Sequence, residues 1–405
     1  MRNVVFVLPF VMERSLGFVA GAANVPGVRL GIVSQEPVDK LPTSIRDRLA
    51  GHWQVQNAFD ARQIADGVLG ITKQIGPIDR VIGNLEQLQE PLAAAQAMLG
   101  LPGMPPEVAG NFRDKAVMKS IFEQRGVPCA RHRLVHQPAE ALAFLTEVGL
   151  PVVVKPPDGA GSTDTFRLET QGDLDAYLAR MSAEGGPVLF EEFLRGEEHS
   201  FDAVTLGGRM VWFSISKYWP GPLTVMENPW MQWCVLSPRH VDVPEYAAIR
   251  ETGEQAVRAL GLSTGFTHME WFQRPDGSVA VSEVGGRPPG AHFMSLFSHA
   301  HDIDFYVAWA KLMVNDTFEV PERKYAVGAA YLRGAGTGRI KAVHGIAEAN
   351  AEFGPLVVEA RLPTPGQYQG KAYDGAGFVM LRHTDTDVVA QALKRAVSIL
   401  RVELE

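Results

Sequence analysis

The stretch GFTHMEWFQRPDGSVAVSEVGGRPPG, residues 265–290, limits what this chain can fold into more than any other. Two apolar runs flank Asp276-Gly277, a pair that favours a tight hairpin turn between strands. With the turn centred there, residues whose numbers sum to 553 face each other, and Glu270 stands opposite Glu283. Their Cβ atoms then lie roughly 4.5–5.5 Å apart, an unfavourable placement for like charges without a neutralising partner. A divalent cation such as Mg²⁺, which takes carboxylate oxygens and shares them with phosphates, is one such partner. A lysine neighbour, or a solvated surface hairpin, is the alternative. Arg287 follows after two glycines and is held by Pro-Pro-Gly; its planar fork suits phosphate or carboxylate, and a surface arginine in a turn is the plainer reading.

Two further stretches carry chemistry. VVVKPPDGAGSTDT, residues 152–165, is a strand that runs into a glycine-bearing loop, where backbone N–H groups can approach an anion closely. Its lysine, Lys155, precedes the glycines, so it is no P-loop, in which the lysine follows them. VLFEEFLRGEEHSFDAVTL, residues 188–206, ends an apolar strand in Glu191-Glu192-Phe193-Leu194, turns, and carries Glu198 into a second strand. By itself it reads as a polar hairpin.

At 405 residues the chain has room for two or three domains. A net charge of −8 with no basic run argues against a nucleic-acid groove. Two distant cysteines, Cys129 and Cys234, argue against a disulfide framework and for a reducing compartment. The N-terminal MRNVVFVLPF is short and broken by Pro9, so it reads as a first buried strand rather than a signal peptide. No stretch approaches a membrane span. A cytoplasmic, soluble protein is expected.

Residues 1–110 alternate apolar runs (Val4–Leu8, Val28–Val33, Trp53–Gln56, Asp79–Ile82) with helical patterns near 43–50, 60–74 and 87–99, a doubly wound α/β unit. LGLPGMPPEVAG, residues 99–110, reads as a linker. NFRDKAVMKSIFEQRG follows as one helix, capped by Asn111 and ended by Gly126. Residues 218–233, rich in aromatics and proline, read as a long loop. A helix near 244–260, the hairpin and further helices lead to about 316, and strand-like runs with a helix over 385–400 form an α+β unit from 321 to 405.

In this order the motifs resemble the ATP-grasp superfamily: a helix bearing Asp114-Lys115, a strand lysine with a glycine loop, EEFLRGEE, glutamates on two successive strands, then arginine. The resemblance covers about residues 111–300. The tail, with GRIKAVHG and PGQYQGKAYDGAGFVMLRH, is similar to the C-terminal domain of bacterial L-amino acid ligases. The resemblance implies a three-part α/β and α+β architecture: an N-terminal doubly wound domain (1–110), a central ATP-grasp domain (111–320) with a lid subdomain at about 130–210, and a C-terminal α+β domain (321–405). It implies ATP, with Mg²⁺ or alternatively Mn²⁺. Lys115 and Lys155 would contact phosphates beneath the loop of Gly159, Gly161 and Ser162. Glu191 would meet the adenine amine, Glu192, Phe193 and Leu194 would line the adenine slot, and Glu198 would hold the ribose. Glu270 and Glu283 would bind the metal, and Arg287 the reacting phosphoryl group. Glu86 would meet a substrate amine and His268 a substrate carboxylate, with His292 also beside the substrate; a structural role is the alternative for each. Gly285 stands where many members carry an asparagine metal ligand, which puts one metal site in doubt.

The implied activity is an ADP-forming ligation of a small-molecule carboxylate, an amino acid above all, to an amine through an acyl phosphate, in a protein that is often a homodimer. A biotin-carboxylase-like enzyme acting on bicarbonate and a non-catalytic nucleotide-binding scaffold are the alternatives. Trp219, Trp230 and Trp233 would cap the acceptor site or serve packing, and Lys217 would serve phosphate or a surface pair.

Overall fold

Five consecutive side chains, Val4 to Leu8, are wholly buried. A strand hidden on both faces belongs in a parallel sheet with a covering layer on each side. In this computed structural model, which describes residues 1–159, 164–228, 230–370 and 372–405, those residues lie in β1 (Arg2–Leu8), which pairs in parallel with β2 (Val28–Ser34) and β4 (Arg80–Ile82). β3 (Gly51–Gln54) completes the order β3-β2-β1-β4. β3 starts two residues earlier than the aromatic run suggests. The expected helix over 43–50 is only Thr43–Arg46.

The single helix expected over 111–126 is two, Pro106–Arg113 and Lys115–Arg125. Asn111 is inside the first. Asp114, in an extended conformation, breaks the run, and its carboxylate accepts from Ala116 N and Val117 N, the arrangement of a helix N-cap. Gly126 ends the second helix with φ +68°, as expected of a glycine at that point. The supposed linker is therefore partly helical from Pro106.

The chain next builds a four-stranded sheet of β5 (His132–Val135), β6 (Val152–Lys155), β7 (Phe166–Leu168) and β8 (Val188–Glu192). Their order is β5-β8-β6-β7, and the sheet has its own core, including Phe144, Val152, Leu174 and Phe190. The segment EEFLRGEE is not a hairpin. β8 ends this sheet, and β9 (Glu197–Leu206) begins another. The crossing passes Gly196, φ +150°, where a Cβ would lie 2.2 Å from Gln273 O; only glycine fits so close an approach.

β9, β10 (Arg209–Trp219), β11 (Trp233–Ser237), β12 (Gly265–Gln273), β13 (Val279–Gly285) and β14 (Ala326–Leu332) enter an eight-stranded antiparallel sheet. β15 (Gly338–His344), β17 (Tyr368–Gln369) and β19 (Arg401–Leu404) form a small separate sheet, while β16 (Val357–Arg361) and β18 (Gly377–His383) extend the large one to the order β13-β12-β9-β10-β11-β14-β18-β16. The stretch 218–233 is not all loop: β10 runs to Trp219, and a helix, Pro222–Glu227, precedes β11. Trp233 is core, stacked on Tyr331 at 4.9 Å, whereas Trp230 is exposed.

The helices Phe293–His301 and Phe305–Asn315 tie the first sheet to the large one. Trp309 meets Phe18 at 4.9 Å, and Phe305 meets Trp212 at 5.0 Å, within one continuous core. Gly21 allows this docking, because a Cβ there would lie 2.6 Å from the backbone of Tyr306. No helix among the described residues is long and apolar enough to cross a membrane.

His301 sits in that core, 3% exposed. Its Nδ1–H donates to Glu322 O at 2.9 Å. Burial, helped by Arg323, holds its pKa down to about 3. The unfolded ring takes up a proton below about 6.5, so its contribution is complete above that pH and is lost as the pH falls toward 3. Between pH 7 and pH 5 the group should remove about 2 kcal/mol of stability. Thermal unfolding followed at both pH values should show the drop, and His301→Phe should reduce it.

Candidate active site

The floor is laid by β9, β12 and β13. Glu270 stands directly opposite Glu283, as the sequence predicts. The turn is a residue longer than a two-residue hairpin: Arg274 N donates to Ser278 O at 2.8 Å, around Pro275-Asp276-Gly277. Near the turn Gln273 faces Val279, and an irregularity after Glu270, with Ser282 as the extra residue, restores the register by one. A bulge of this kind re-aims side chains, and here it brings the two glutamates level.

The pair is asymmetric. Burial pushes Glu283 up, but Lys115 and Lys155 outweigh it and hold the group low; their Nζ atoms lie 3.4 and 4.0 Å from Glu283 Oε2. Burial and then Glu283 raise Glu270, whose nearest ion-pair partner among the described residues is His268 Nε2 at 4.0 Å. Burial, Glu270 and Glu283 hold Glu198 well above the usual range. Acidic oxygens pushed toward protonation by one another are a donor set that a hard divalent cation would satisfy. Among the described residues no cluster of three or more such ligands is preformed.

The wall is the N-terminal turn of Lys115–Arg125. Lys115 N donates to Pro157 O at 2.8 Å, and Lys115 Nζ donates to Gly159 O at 2.6 Å. This fastens the strand-to-glycine loop to the helix start. Gly161 and Ser162 lie outside the described residues. The roof is the small sheet, where Glu191 is set between Lys155 Nζ at 3.1 Å and Lys119 Nζ at 3.2 Å. Burial raises Glu191, and the two lysines more than reverse it. Glu192 turns toward Arg131, with 2.7 Å between Oε2 and Nε. Lys115, Lys155, Gly159, Glu191, Glu192, Phe193, Leu194, Glu198, Glu270 and Glu283 all line one cavity of about 90 Å³.

Arg287 lies beside this cavity, not among its lining residues. Its Nε donates to Glu86 Oε2 at 2.8 Å, Nη2 donates to the same oxygen, and Nη1 donates to Pro288 O at 3.0 Å. Glu86, predicted at a substrate amine, thus holds Arg287 across the boundary between the first sheet and the floor. A Cβ at Gly285 would lie 3.4 Å from Arg287 Cγ, so a side chain there would be in van der Waals contact with the arginine. His268 Nδ1 is 2.6 Å from Asp202 Oδ1. Burial lowers its pKa, and Asp202 more than restores it. His292 is not among the residues lining this cavity; its ring centroid is 4.0 Å from that of Phe378, and its backbone N–H donates to Tyr331 Oη at 3.3 Å. Lys217 is a surface pair with Glu245 at 3.1 Å.

Three residues of this site escaped the sequence reading. Lys119 is one helical turn after Lys115, on the same face. Asp202 follows Glu198 and Ser200 at alternate positions of β9, a shared face that the spacing made readable. Tyr373, beside Arg287 and Glu270 and edge-on to Trp233 at 4.8 Å, carried no local signal.

Comparison with known proteins finds a family model, relatives and solved structures similar to this chain. Residues 113–220 match the family described as "Phosphoribosylglycinamide synthetase, ATP-grasp (A) domain". The chain superposes over its whole length on the crystal structure of an L-amino acid ligase from Bacillus licheniformis, with a TM-score of 0.79 at 18% identity and 99% of that chain covered. The stretch 113–220 is similar to an ATP-grasp domain. A second solved structure, phosphoribosylglycinamide synthetase from Anaerococcus prevotii, gives 0.72 at 18% identity, with all of both chains covered. In sequence, the chain is 25% identical over 272 residues to the L-arginine-specific L-amino acid ligase of Bacillus subtilis, covering 64% of each. It is 26% identical over 230 residues to the alanine–anticapsin ligase of Bacillus subtilis (strain 168), covering 51% of this chain and 48% of that one. The chain thus spans less than two thirds of the length of these two relatives.

Lys119 is wholly buried, and its removal strands part of the charge on Glu191. Lys119→Met should cost about 3 kcal/mol of stability, the low end for breaking a buried ion pair, because Lys155 remains. Urea unfolding of the variant beside the parent protein measures this.

Proposed function

We propose that this protein is an ATP-dependent, ADP-forming ligase that joins a carboxylate, an amino acid in our reading, to an amine through an acyl phosphate. The observation that carries the reading is the facing pair Glu270 and Glu283 on the floor of a cavity whose wall and roof bear Lys115 and Lys155. Two acids kept together at such a cost suit a divalent cation under a polyphosphate.

In this reading Lys115 and Lys155 hold the phosphates. Phe193, Leu194 and the backbone beside Glu191 and Glu192 receive the base, and Glu198 receives the ribose. Glu270 and Glu283 hold Mg²⁺, which when bound neutralises phosphate charge. A carboxylate oxygen of the substrate attacks the γ-phosphorus, the bond to the β-phosphate oxygen breaks, and ADP leaves. Phosphoryl transfer of this kind needs mainly alignment and charge neutralisation, and the two lysines with Arg287 supply both. The amine then attacks the acyl carbon, and phosphate departs with the amine's proton. Arg287 stabilises the oxyanion formed on the way. Glu86 fixes the arginine's fork, and its second oxygen, 3.9 Å from Arg113 Nη1, also receives a substrate amine. His268, oriented by Asp202, faces the same space and receives a substrate carboxylate.

Supplying hydroxylamine as the acceptor tests the first half-reaction. Hydroxamate should form from MgATP and a matching carboxylic acid; ADP release that requires bicarbonate and biotin, or nucleotide binding without turnover, would overturn the reading. Arg287→Ala should lower turnover roughly 100- to 1000-fold, as loss of an oxyanion donor does, with circular dichroism showing a retained fold and a lower melting temperature because Glu86 loses its buried partner. Glu270→Gln should raise the Mg²⁺ concentration for half-maximal rate by at least about tenfold, read from metal titrations of ADP release.

A further inference from the structure

The cavity has a rim as well as a floor. Thr165, on the small-sheet side, and Leu223, in the helix Pro222–Glu227, both line it. Arg167 is two residues beyond Thr165, and alternate residues of an extended strand share a face. Glu227 is four residues beyond Leu223, and such positions share a helix face. These two side chains meet, with Arg167 Nη2 3.1 Å from Glu227 Oε2. Arg167 also lies 3.2 Å from Glu169 and over the ring of Phe193, another lining residue, 5.5 Å from its centroid.

The two ends of this ion pair belong to bodies with separate cores. The helix is bound to the large sheet. Val225 is wholly buried in the main core. Arg333, also buried, donates through Nη1 to Val225 O at 2.9 Å and to Met231 O at 3.0 Å. Gly221, just before the helix, packs close to Glu198, since a Cβ there would lie 2.5 Å from Glu198 Oε2. Arg167 instead stands on β7, in the small sheet with its own core.

We propose that Arg167 and Glu227 form a latch that positions the small sheet over the cavity, so that their pairing sets how tightly a nucleoside polyphosphate is held. The inference rests on the nucleotide-site reading above. Both side chains are about one-third exposed, so the pair adds little to the stability of either body. Across two bodies it acts on an open–closed balance, and apparent affinity scales with the closed fraction. Neither residue touches the reacting atoms, so the effect falls on KM for MgATP and not on kcat.

The test is MgADP binding to the full chain by calorimetry, with KM and kcat for MgATP, for Arg167→Glu, Glu227→Arg and the double reversal. Each single reversal should weaken MgADP about fivefold, the upper range for an exposed pair, and raise KM with kcat nearly unchanged. The double reversal should recover most of the loss, and 0.5 M salt should shrink the difference. Parent-like binding by both single reversals, or a double reversal as weak as the two losses combined, would overturn the latch. Should a reversal fail to fold by circular dichroism, Arg167→Gln and Glu227→Gln give the same comparison through their coupling. A parent protein that binds no MgADP would overturn the nucleotide reading itself, and the latch with it.

Discussion

Two carboxylates on adjacent strands, Glu270 and Glu283, repel each other in a half-buried place, and much of the surrounding structure answers that repulsion. Lys115 and Lys155 approach Glu283 from a helix start and from the small sheet. Lys119 and Lys155 in turn hold Glu191. The result is a charge ladder from floor to roof in which, among the described residues, Glu270 has no lysine as ion-pair partner. That gap is where a cation bound with a nucleotide would complete the set.

The same floor is braced from the N-terminal unit. Glu86 leaves β4 through a short turn and grips Arg287, while Gln89 Oε1 accepts from Gly286 N at 3.1 Å. Gly286 must be small, because a Cβ would lie 2.9 Å from Gln89 Oε1. The two aromatic helices behind the floor make this brace rigid by sharing one core with both sheets. Substrate-side geometry is therefore set by packing far from the acidic pair, and at Tyr373 by a segment nearly a hundred residues later in the chain.

The parts legible in advance were those with local periodicity. The buried run of β1, the helix Ala61–Ile75 and the hairpin strands follow from alternation and apolar spacing. The site residues on those strands were legible for the same reason, since a residue's face follows from its parity. Errors came where a single residue overrode the pattern. Asp114 broke a continuous helical run because its carboxylate satisfies the free N–H groups of the next helix. EEFLRGEE looked like a hairpin because both halves have strand character, and nothing local says that they join different sheets. The Glu270–Glu283 register was right although the turn is a residue longer than expected, because the bulge at Ser282 cancels the shift.

The sequence by itself determined the chemistry at hand and its order along the chain: a lysine before a glycine loop, acids on alternate strand positions, and an arginine after two glycines. These depend on side-chain type and on periods of two and 3.6, which are properties of the local backbone. Only the tertiary structure decided which charges neutralise which, that Glu86 grips Arg287, that Asp202 orients His268, and that His292 faces the aromatic strands. Those pairings join residues up to about two hundred positions apart, and their distances are set by how separate sheets and helices pack, which no local pattern encodes.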